Sequence, residues 1–88
     1  MATIRAAHTT EQGQTFVVVW TDLHVLQSSQ QSSDALRATH ILFPRIPAAL
    51  MALDSRGTPQ YRGSDRNLIN FLASVPYELL PWKDYNVG

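Results

Sequence analysis

The sequence predicts a small α+β domain. We expect a single-layer sheet of about four strands, in the order β-β-α-β-β-α, packed against two helices and followed by an irregular aromatic C-terminal tail. Residues 15–20, Thr-Phe-Val-Val-Val-Trp, are β-branched or aromatic throughout, which is typical of a strand. Apolar side chains recur at the helical spacing i, i+3, i+4, i+7 at Leu68, Phe71, Leu72 and Val75. With 88 residues, 44% of them apolar, the chain has room for one core.

The first element expected is a short strand, followed by a turn. Residues 2–8 alternate weakly, with Ile4 and Ala6 on one side, and this alternation predicts the strand. Residues 9–14 are polar and include Gly13, so they suit a hairpin turn before the next strand.

The strand at residues 15–20 is apolar on both faces, so we expect it in the centre of the sheet. Its alternation could continue through residues 21–26. In that case Thr21, Leu23 and Val25 would share one face of an extended strand.

A polar connector and a helix are expected next. Residues 27–33, Gln-Ser-Ser-Gln-Gln-Ser-Ser, predict an exposed and mobile connector. Its last serines could cap a helix beginning at Asp34, whose carboxylate suits the positive N-terminal end of a helix. Pro44 is expected to end this helix. Its residues at helical spacing are Leu36, His40 and Phe43.

The second half of the chain predicts a strand pair and a second helix. Residues 48–53, Ala-Ala-Leu-Met-Ala-Leu, could be helical by propensity, but prolines precede this short run and a turn follows it, which favours a buried strand. Residues 59–62 form a short candidate strand. Ser64 is expected to cap the helix that carries the apolar stripe, and Pro76 to close it.

The segment from Arg45 to Val75 resembles the second half of a thioredoxin-like fold, in which a proline precedes a strand, a hairpin follows and a helix packs across. The resemblance covers about a third of the chain and concerns shape alone. The first half departs from that family because it has no Cys-x-x-Cys motif and too few residues for the usual strand-helix-strand opening. No redox function is therefore implied.

Charge and composition narrow the possible partners. Seven basic and seven acidic residues cancel, whereas binders of nucleic acid or anionic membranes usually carry a basic excess. The chain has no cysteine, which excludes disulfides and thiolate zinc sites and fits a reducing compartment. It shows neither a signal peptide nor an apolar run approaching the ~20 residues of a membrane span. We expect a cytoplasmic protein with no membrane partner.

A loop rich in arginine is one candidate binding site. It places an aromatic side chain and two glycines among three arginines, ahead of a helix whose backbone donors could bind an anion. Arginines with an interleaved aromatic could hold a phosphate or stack on a base. The alternative is a hairpin with solvated arginines, one of them paired with Asp54 or Asp65. The candidate residues are Arg56, Tyr61, Arg62 and Arg66.

The sequence shows few features that indicate a catalytic site. If the central strand continued, Asp22 and His24 would share a face and could act as an acid–base pair, but no further metal-ligand spacing accompanies them. His40, on an apolar helix stripe, is expected in the core. Nucleophile, phosphate-loop and dinucleotide motifs are missing, and the acidic residues are scattered singly. We expect a non-enzymatic protein without metal or cofactor.

The C-terminal residues 76–88 are expected to form a tail on a core domain of residues 1–75. Pro76 and Pro81 argue against a regular element, yet the segment carries large apolar side chains. It could clasp its own domain, covering a sheet face that would otherwise lie open, or dock on another molecule. The candidate docking residues are Tyr77, Leu80, Trp82 and Tyr85.

The sequence therefore favours two functional hypotheses. The first is a protein-interaction module, such as a subunit, adaptor or inhibitor, that binds another protein or a second copy of itself through the tail. The second is binding of a phosphate, nucleotide or single-stranded nucleic acid by the arginine loop. Neutral net charge makes the nucleic-acid partner the weaker expectation.

Overall fold

The computed structural model describes residues 2–87. They form five strands, three α-helices and one 3₁₀ turn, which confirms the α+β class and adds one strand and one helix to the expected set. The elements are β1 (Ala2–Glu11), β2 (Gln14–Trp20), α1 (Leu23–Gln27), α2 (Ser29–Leu42), β3 (Ala48–Leu53), β4 (Pro59–Arg62), α3 (Arg66–Ala73), the 3₁₀ turn (Tyr77–Leu79) and β5 (Trp82–Val87). They build one mixed sheet in the order β4-β3-β2-β1-β5, in which only the β2–β3 pair is parallel among the described strands.

A tight hairpin joins β1 to β2. The pair runs without interruption down to Glu11 opposite Gln14, so only Gln12 and Gly13 form the turn. Both have positive φ, 51° and 79°, the combination that matches the twist of a two-residue hairpin. The predicted turn at residues 9–14 is therefore too long, because polar threonines occupy the end of β1.

The sheet is covered on both faces, and β2 is its central strand, as predicted. One face packs against α1 and α2 through Ala6, Val17, Val19, Leu26, Phe43, Ala48, Leu50 and Ala52. The opposite face packs against α3 and the residues that follow it through Ala7, Phe16, Val18, Ala49, Met51, Leu68, Leu72 and Leu80. We call these the α2 face and the α3 face.

The crossover from β2 to β3 is helical where the sequence favoured strand and coil. The prediction that β2 continues through residues 21–26 is wrong, because Leu23–Gln27 is the helix α1. Leu23 and Leu26 lie one helical turn apart, and both pack on the α2 face. Alternation over so few residues did not distinguish this spacing from that of a strand.

The polar connector predicted at residues 27–33 is also wrong, since α2 begins at Ser29 rather than Asp34. Serine side chains bind the backbone here. Ser28 Oγ accepts a hydrogen bond from the Gln31 N–H at 3.2 Å, which caps α2. Ser32 is 2% exposed, and its hydroxyl donates to the Val25 carbonyl at 2.7 Å, which ties α2 to the end of α1.

The helix stripe predicted for α2 is confirmed at Leu36 and Phe43, which pack on the α2 face, and is wrong at His40. Along α2, Ala35 and Leu36 pack against the α2 face, Ser32 and Thr39 are buried at helical spacing, and the stripe ends in the buried Phe43. The buried Thr39 hydroxyl is satisfied, because it donates to the Ala35 carbonyl at 2.8 Å. His40 lies one position further round the helix and is exposed, so its expected place in the core is wrong.

The strand pair and helix of the second half are confirmed, including strands at residues 48–53 and 59–62. The cap of α3 is Asp65, one residue later than predicted, and its carboxylate accepts a hydrogen bond from the Leu68 N–H at 3.1 Å. Gly63 joins β4 to α3 at a close approach, because a Cβ there would lie 2.9 Å from the Ala48 carbonyl oxygen. The chain needs glycine at this crossing.

The tail is regular, contrary to prediction. Pro76 precedes the 3₁₀ turn and Pro81 precedes β5, so the two prolines flank these elements instead of interrupting them. Strand β5 pairs antiparallel with β1, from Ala7 opposite Trp82 to Ala2 opposite Val87. The last strand therefore becomes an edge of the sheet.

Candidate functional site

Three of the four predicted docking residues pack on the α3 face. Leu80 is 5% exposed and belongs to its core. Tyr77 and Trp82 are half-buried and flank Trp20 edge-to-face, with ring centroids 5.6 Å and 5.1 Å away. The Trp82 indole N–H also donates to the Tyr77 carbonyl at 2.8 Å. These contacts fix the 3₁₀ turn to the start of β5.

The fourth residue, Tyr85, lies on the opposite face of the sheet. It packs edge-to-face against Phe43 at 5.2 Å between centroids and is half-buried. Side chains alternate along a strand, so Trp82 and Tyr85 cannot share a face. The four side chains thus do not form one surface patch, and their role in binding a partner stays a prediction.

The β1–β2 turn determines which backbone groups of β1 face each neighbour. In a hairpin with a two-residue turn, the flanking residues Glu11 and Gln14 exchange hydrogen bonds. Hydrogen-bonded positions alternate along an antiparallel pair, and the register from Glu11 to Arg5 has no bulge. Odd-numbered residues of β1 therefore bind β2, and even-numbered residues direct their backbone groups toward β5.

The same alternation defines the outer edge of β5. Lys83 and Tyr85 lie opposite even-numbered residues of β1, so their N–H and C=O groups bind β1. The N–H and C=O groups of Asp84 and Asn86 point away from the sheet. The Trp82 N–H follows this pattern, since it donates to the Leu80 carbonyl at 2.9 Å. None of the described strands pairs with this edge, which we call the β5 edge.

The opposite edge of the sheet is better protected. Strand β4 has four residues and begins with Pro59, which offers no N–H. The Arg62 side chain is engaged beside this strand, donating to the Leu26 carbonyl at 2.6 Å and to the Ser29 hydroxyl at 3.3 Å. Arg62 thereby joins β4 to the junction between α1 and α2.

Arg5 and Asp84 flank the β5 edge on the α3 face. The Arg5 guanidinium lies 5.6 Å from the centroid of the Trp20 ring and 3.5 Å from the Asp84 carboxylate. Both charged side chains are more than half exposed. The pair therefore contributes little to folding stability and leaves two charges available at the surface.

The structure separates Arg56 from the other three residues of the predicted anion site. Tyr61, Arg62 and Arg66 line a cavity of about 290 Å³ with Gly63, Ser64 and Ile69. Arg56 is not among the lining residues. It lies in the β3–β4 turn, where Asp54 Oδ1 accepts hydrogen bonds from the N–H groups of Arg56 and Thr58 at 2.9 and 3.0 Å. Bonds from Thr58 and Arg56 lower the pKa of the Asp54 carboxyl.

Tyr61, one of the residues lining this cavity, carries a polar atom without a partner among the described residues. Its hydroxyl is buried and has no hydrogen-bond partner among the described residues. Burial raises the pKa of the Tyr61 phenol, and the nearby Glu78 adds to the rise. The phenol is therefore neutral at physiological pH and keeps a proton to donate.

The structure does not assemble the histidine site. Asp22 precedes α1 and His24 lies within it, so the strand face that would have paired them does not form. His8, His24 and His40 are exposed. The described part of the chain contains no group of three or more side chains able to hold a metal ion.

The fold and its edges define a small α+β domain with a five-stranded mixed sheet. No protein-family model, curated protein or solved structure matches this chain. Across residues 2–87, none of the helices has the length and apolar character needed to cross a membrane. The candidate sites of this domain are the β5 edge and the cavity lined by Tyr61, Arg62 and Arg66, which we call the Tyr61 cavity.

Proposed function

We propose that this domain is a non-enzymatic protein-interaction module that binds its partner through the β5 edge. The observation that carries the proposal is the outward direction of the Asp84 and Asn86 peptide groups on an edge with no described neighbour. Such an edge accepts an extended strand of a partner, whose backbone bonds supply affinity. A six-residue edge strand without an internal proline is otherwise a liability that proteins protect.

Side chains beside the β5 edge supply the means of selectivity. Lys83 and Tyr85 lie on the α2 face, and Asp84 and Asn86 on the α3 face next to Arg5. Alternate side chains of an added strand would meet these two rows in turn. In this proposal the tail aromatics hold β5 in place, and the backbone of β5 makes the contact with the partner.

Replacement of Asn86 with proline tests the β5 edge. Asn86→Pro removes an outward N–H and leaves the inward bonds of β5 intact, so we expect about tenfold weaker capture of native partners. Asn86→Ala keeps the N–H and should bind like the unmodified protein. Quantitative mass spectrometry of proteins retained by each immobilised variant measures the difference, with circular dichroism as the control for folding. Equal retention by Asn86→Pro would exclude the β5 edge.

A second candidate function is binding of a small phosphate-bearing ligand at the Tyr61 cavity. The cavity brings together three of the four residues of the predicted anion site, and the buried Tyr61 hydroxyl lacks a partner within residues 2–87. Leu26 and Ser29 already accept hydrogen bonds from the Arg62 guanidinium, so Arg66 would supply most of the N–H donors to an anion. The Asp65 carboxylate that caps α3 opposes an anion at the helix end itself.

Replacement of Arg66 separates this second function from ordinary solvation of the loop. We expect millimolar sodium phosphate or adenosine 5′-phosphate to shift the Gly63 amide resonance in the unmodified protein, and added salt to reduce the shift. Arg66→Ala should abolish the shift, whereas Arg56→Ala, outside the cavity, should keep it. An unresponsive Gly63 amide in the unmodified protein would rule out the second function.

A further inference from the structure

We infer that the partner of the β5 edge is a second copy of this chain, paired antiparallel through β5 about a two-fold axis at Tyr85. This inference rests on the proposed function, because it names the strand that occupies the β5 edge. Closed two-fold pairs are the commonest assemblies of soluble proteins, and two identical edges joined in this way leave neither exposed.

Symmetry restricts the registers that two β5 strands can adopt. A two-fold axis perpendicular to the sheet keeps each face on its own side, so opposed residues must carry side chains on the same face. Odd-numbered residues therefore oppose odd ones, and even-numbered residues oppose even ones. The registers are then defined by the residue that lies on the axis.

Charge disfavours two of these registers. An axis at Lys83 sets Lys83 against its own copy, and an axis at Asp84 sets two carboxylates together. Like charges directly opposite each other destabilise a strand pair. An axis at Tyr85 sets Asp84 of each copy against Asn86 of the other, so no like charges face each other among the described side chains.

Backbone hydrogen bonds favour the same register. The outward groups of Asp84 and Asn86 become directly opposed, and a hydrogen-bonded pair exchanges two N–H···O bonds. The two-fold axis repeats the pair, so every outward N–H and C=O of these two residues gains a partner. An axis at Asp84 would instead oppose Asn86 to Trp82, whose N–H already donates to Leu80.

The Tyr85 side chains complete the contact. In this register they are opposed across the axis on the α2 face, each already held edge-to-face by its own Phe43. An axis one residue further along, at Asn86, would form fewer hydrogen bonds among the described residues and would no longer oppose the two tyrosines. The pairing yields one continuous sheet across both copies.

A charge exchange tests this register. Asn86→Asp places a carboxylate opposite Asp84 of the second copy at both ends of the pair. We therefore expect the dissociation constant of the dimer to rise roughly fivefold or more. The double variant Asp84→Asn/Asn86→Asp restores one charge per pair and should dimerise like the unmodified protein. Asn70→Asp adds the same charge on an exposed position of α3 and should change nothing. Sedimentation equilibrium from about 1 µM to about 1 mM measures the mass of each variant.

The outcomes separate the inference from the proposed function. Dimers that Asn86→Asp weakens and the double variant restores support the Tyr85-centred pair. A monomer at every concentration, or a dimer insensitive to the exchange, overturns it. If the protein is monomeric yet Asn86→Pro still loses its native partners, the β5 edge binds another protein and only the inference fails. If Asn86→Pro changes neither dimerisation nor capture, both fail.

Discussion

Removal of residues 76–88 is expected to unfold the domain. The deletion takes away β5, the partner of β1, and removes Leu80 and Trp82 from the α3 face. Deleting a single core side chain of this size costs about 2–5 kcal/mol, and a small domain has about 5–15 kcal/mol in total. The shortened chain should lose its cooperative thermal transition in circular dichroism and the dispersion of its amide resonances.

A peptide in trans provides the control for this deletion. Synthetic residues 76–88, added to the shortened chain, should restore the dispersed amide spectrum if β5 and the 3₁₀ turn are what the fold requires. A shortened chain that still melts cooperatively would contradict the prediction, since the first four strands and three helices would then be self-sufficient. If it also kept its native partners, the proposed role of the β5 edge would be excluded.

Two adjacent leucines provide the second test. Leu80 is 5% exposed and Leu79 is 76% exposed, although Leu79 ends the 3₁₀ turn and Leu80 directly follows it. Leu80→Ala leaves a cavity in the α3 face and should lower the free energy of unfolding by about 2–5 kcal/mol. Leu79→Ala should change it by less than about 0.5 kcal/mol. Urea unfolding followed by tryptophan fluorescence measures both changes. A loss for Leu80→Ala as small as that for Leu79→Ala would place Leu80 outside the core.

Local patterns predicted those elements whose signal lies within the element itself. The β-branched run at residues 15–20 and the apolar run at residues 48–53 are strands because both of their faces are buried. The apolar stripe of α3 is helical for the same local reason, and its Leu68 and Leu72 are buried. In these segments, composition and periodicity agree with the tertiary environment.

The prediction for the crossover between β2 and β3 was wrong because this segment is held by individual hydrogen bonds that composition does not reveal. Residues 28–33 are polar and repetitive, which in sequence suggests a solvated coil. Ser28 caps α2 and Ser32 binds the Val25 carbonyl, so the same serines begin a helix and hold it to the sheet. Composition alone does not distinguish a serine that binds a distant carbonyl from one that binds water.

The candidate sites could not be predicted from the sequence because the residues that form them are far apart along the chain. Arg62 donates to Leu26, and β5 pairs with β1 from the far end of the sequence. Which strand becomes an edge depends on the order of the whole sheet, so neither the β5 edge nor its outward residues Asp84 and Asn86 could be derived locally. The sequence did indicate that the tail must cover apolar surface, and Leu80 and Trp82 lie against the α3 face.

The pairing of β1 with β5 has a consequence for synthesis on the ribosome. Ala2 lies opposite Val87, so β1 cannot complete its pairing with β5 until the residues between them have been translated. At roughly 5–20 residues per second, that interval is roughly 4–17 s. During it, the β1–β2 hairpin can form, but the side of β1 that β5 will occupy stays open. A nascent chain stalled before β5 would therefore expose a bare strand edge to chaperones and to neighbouring nascent chains.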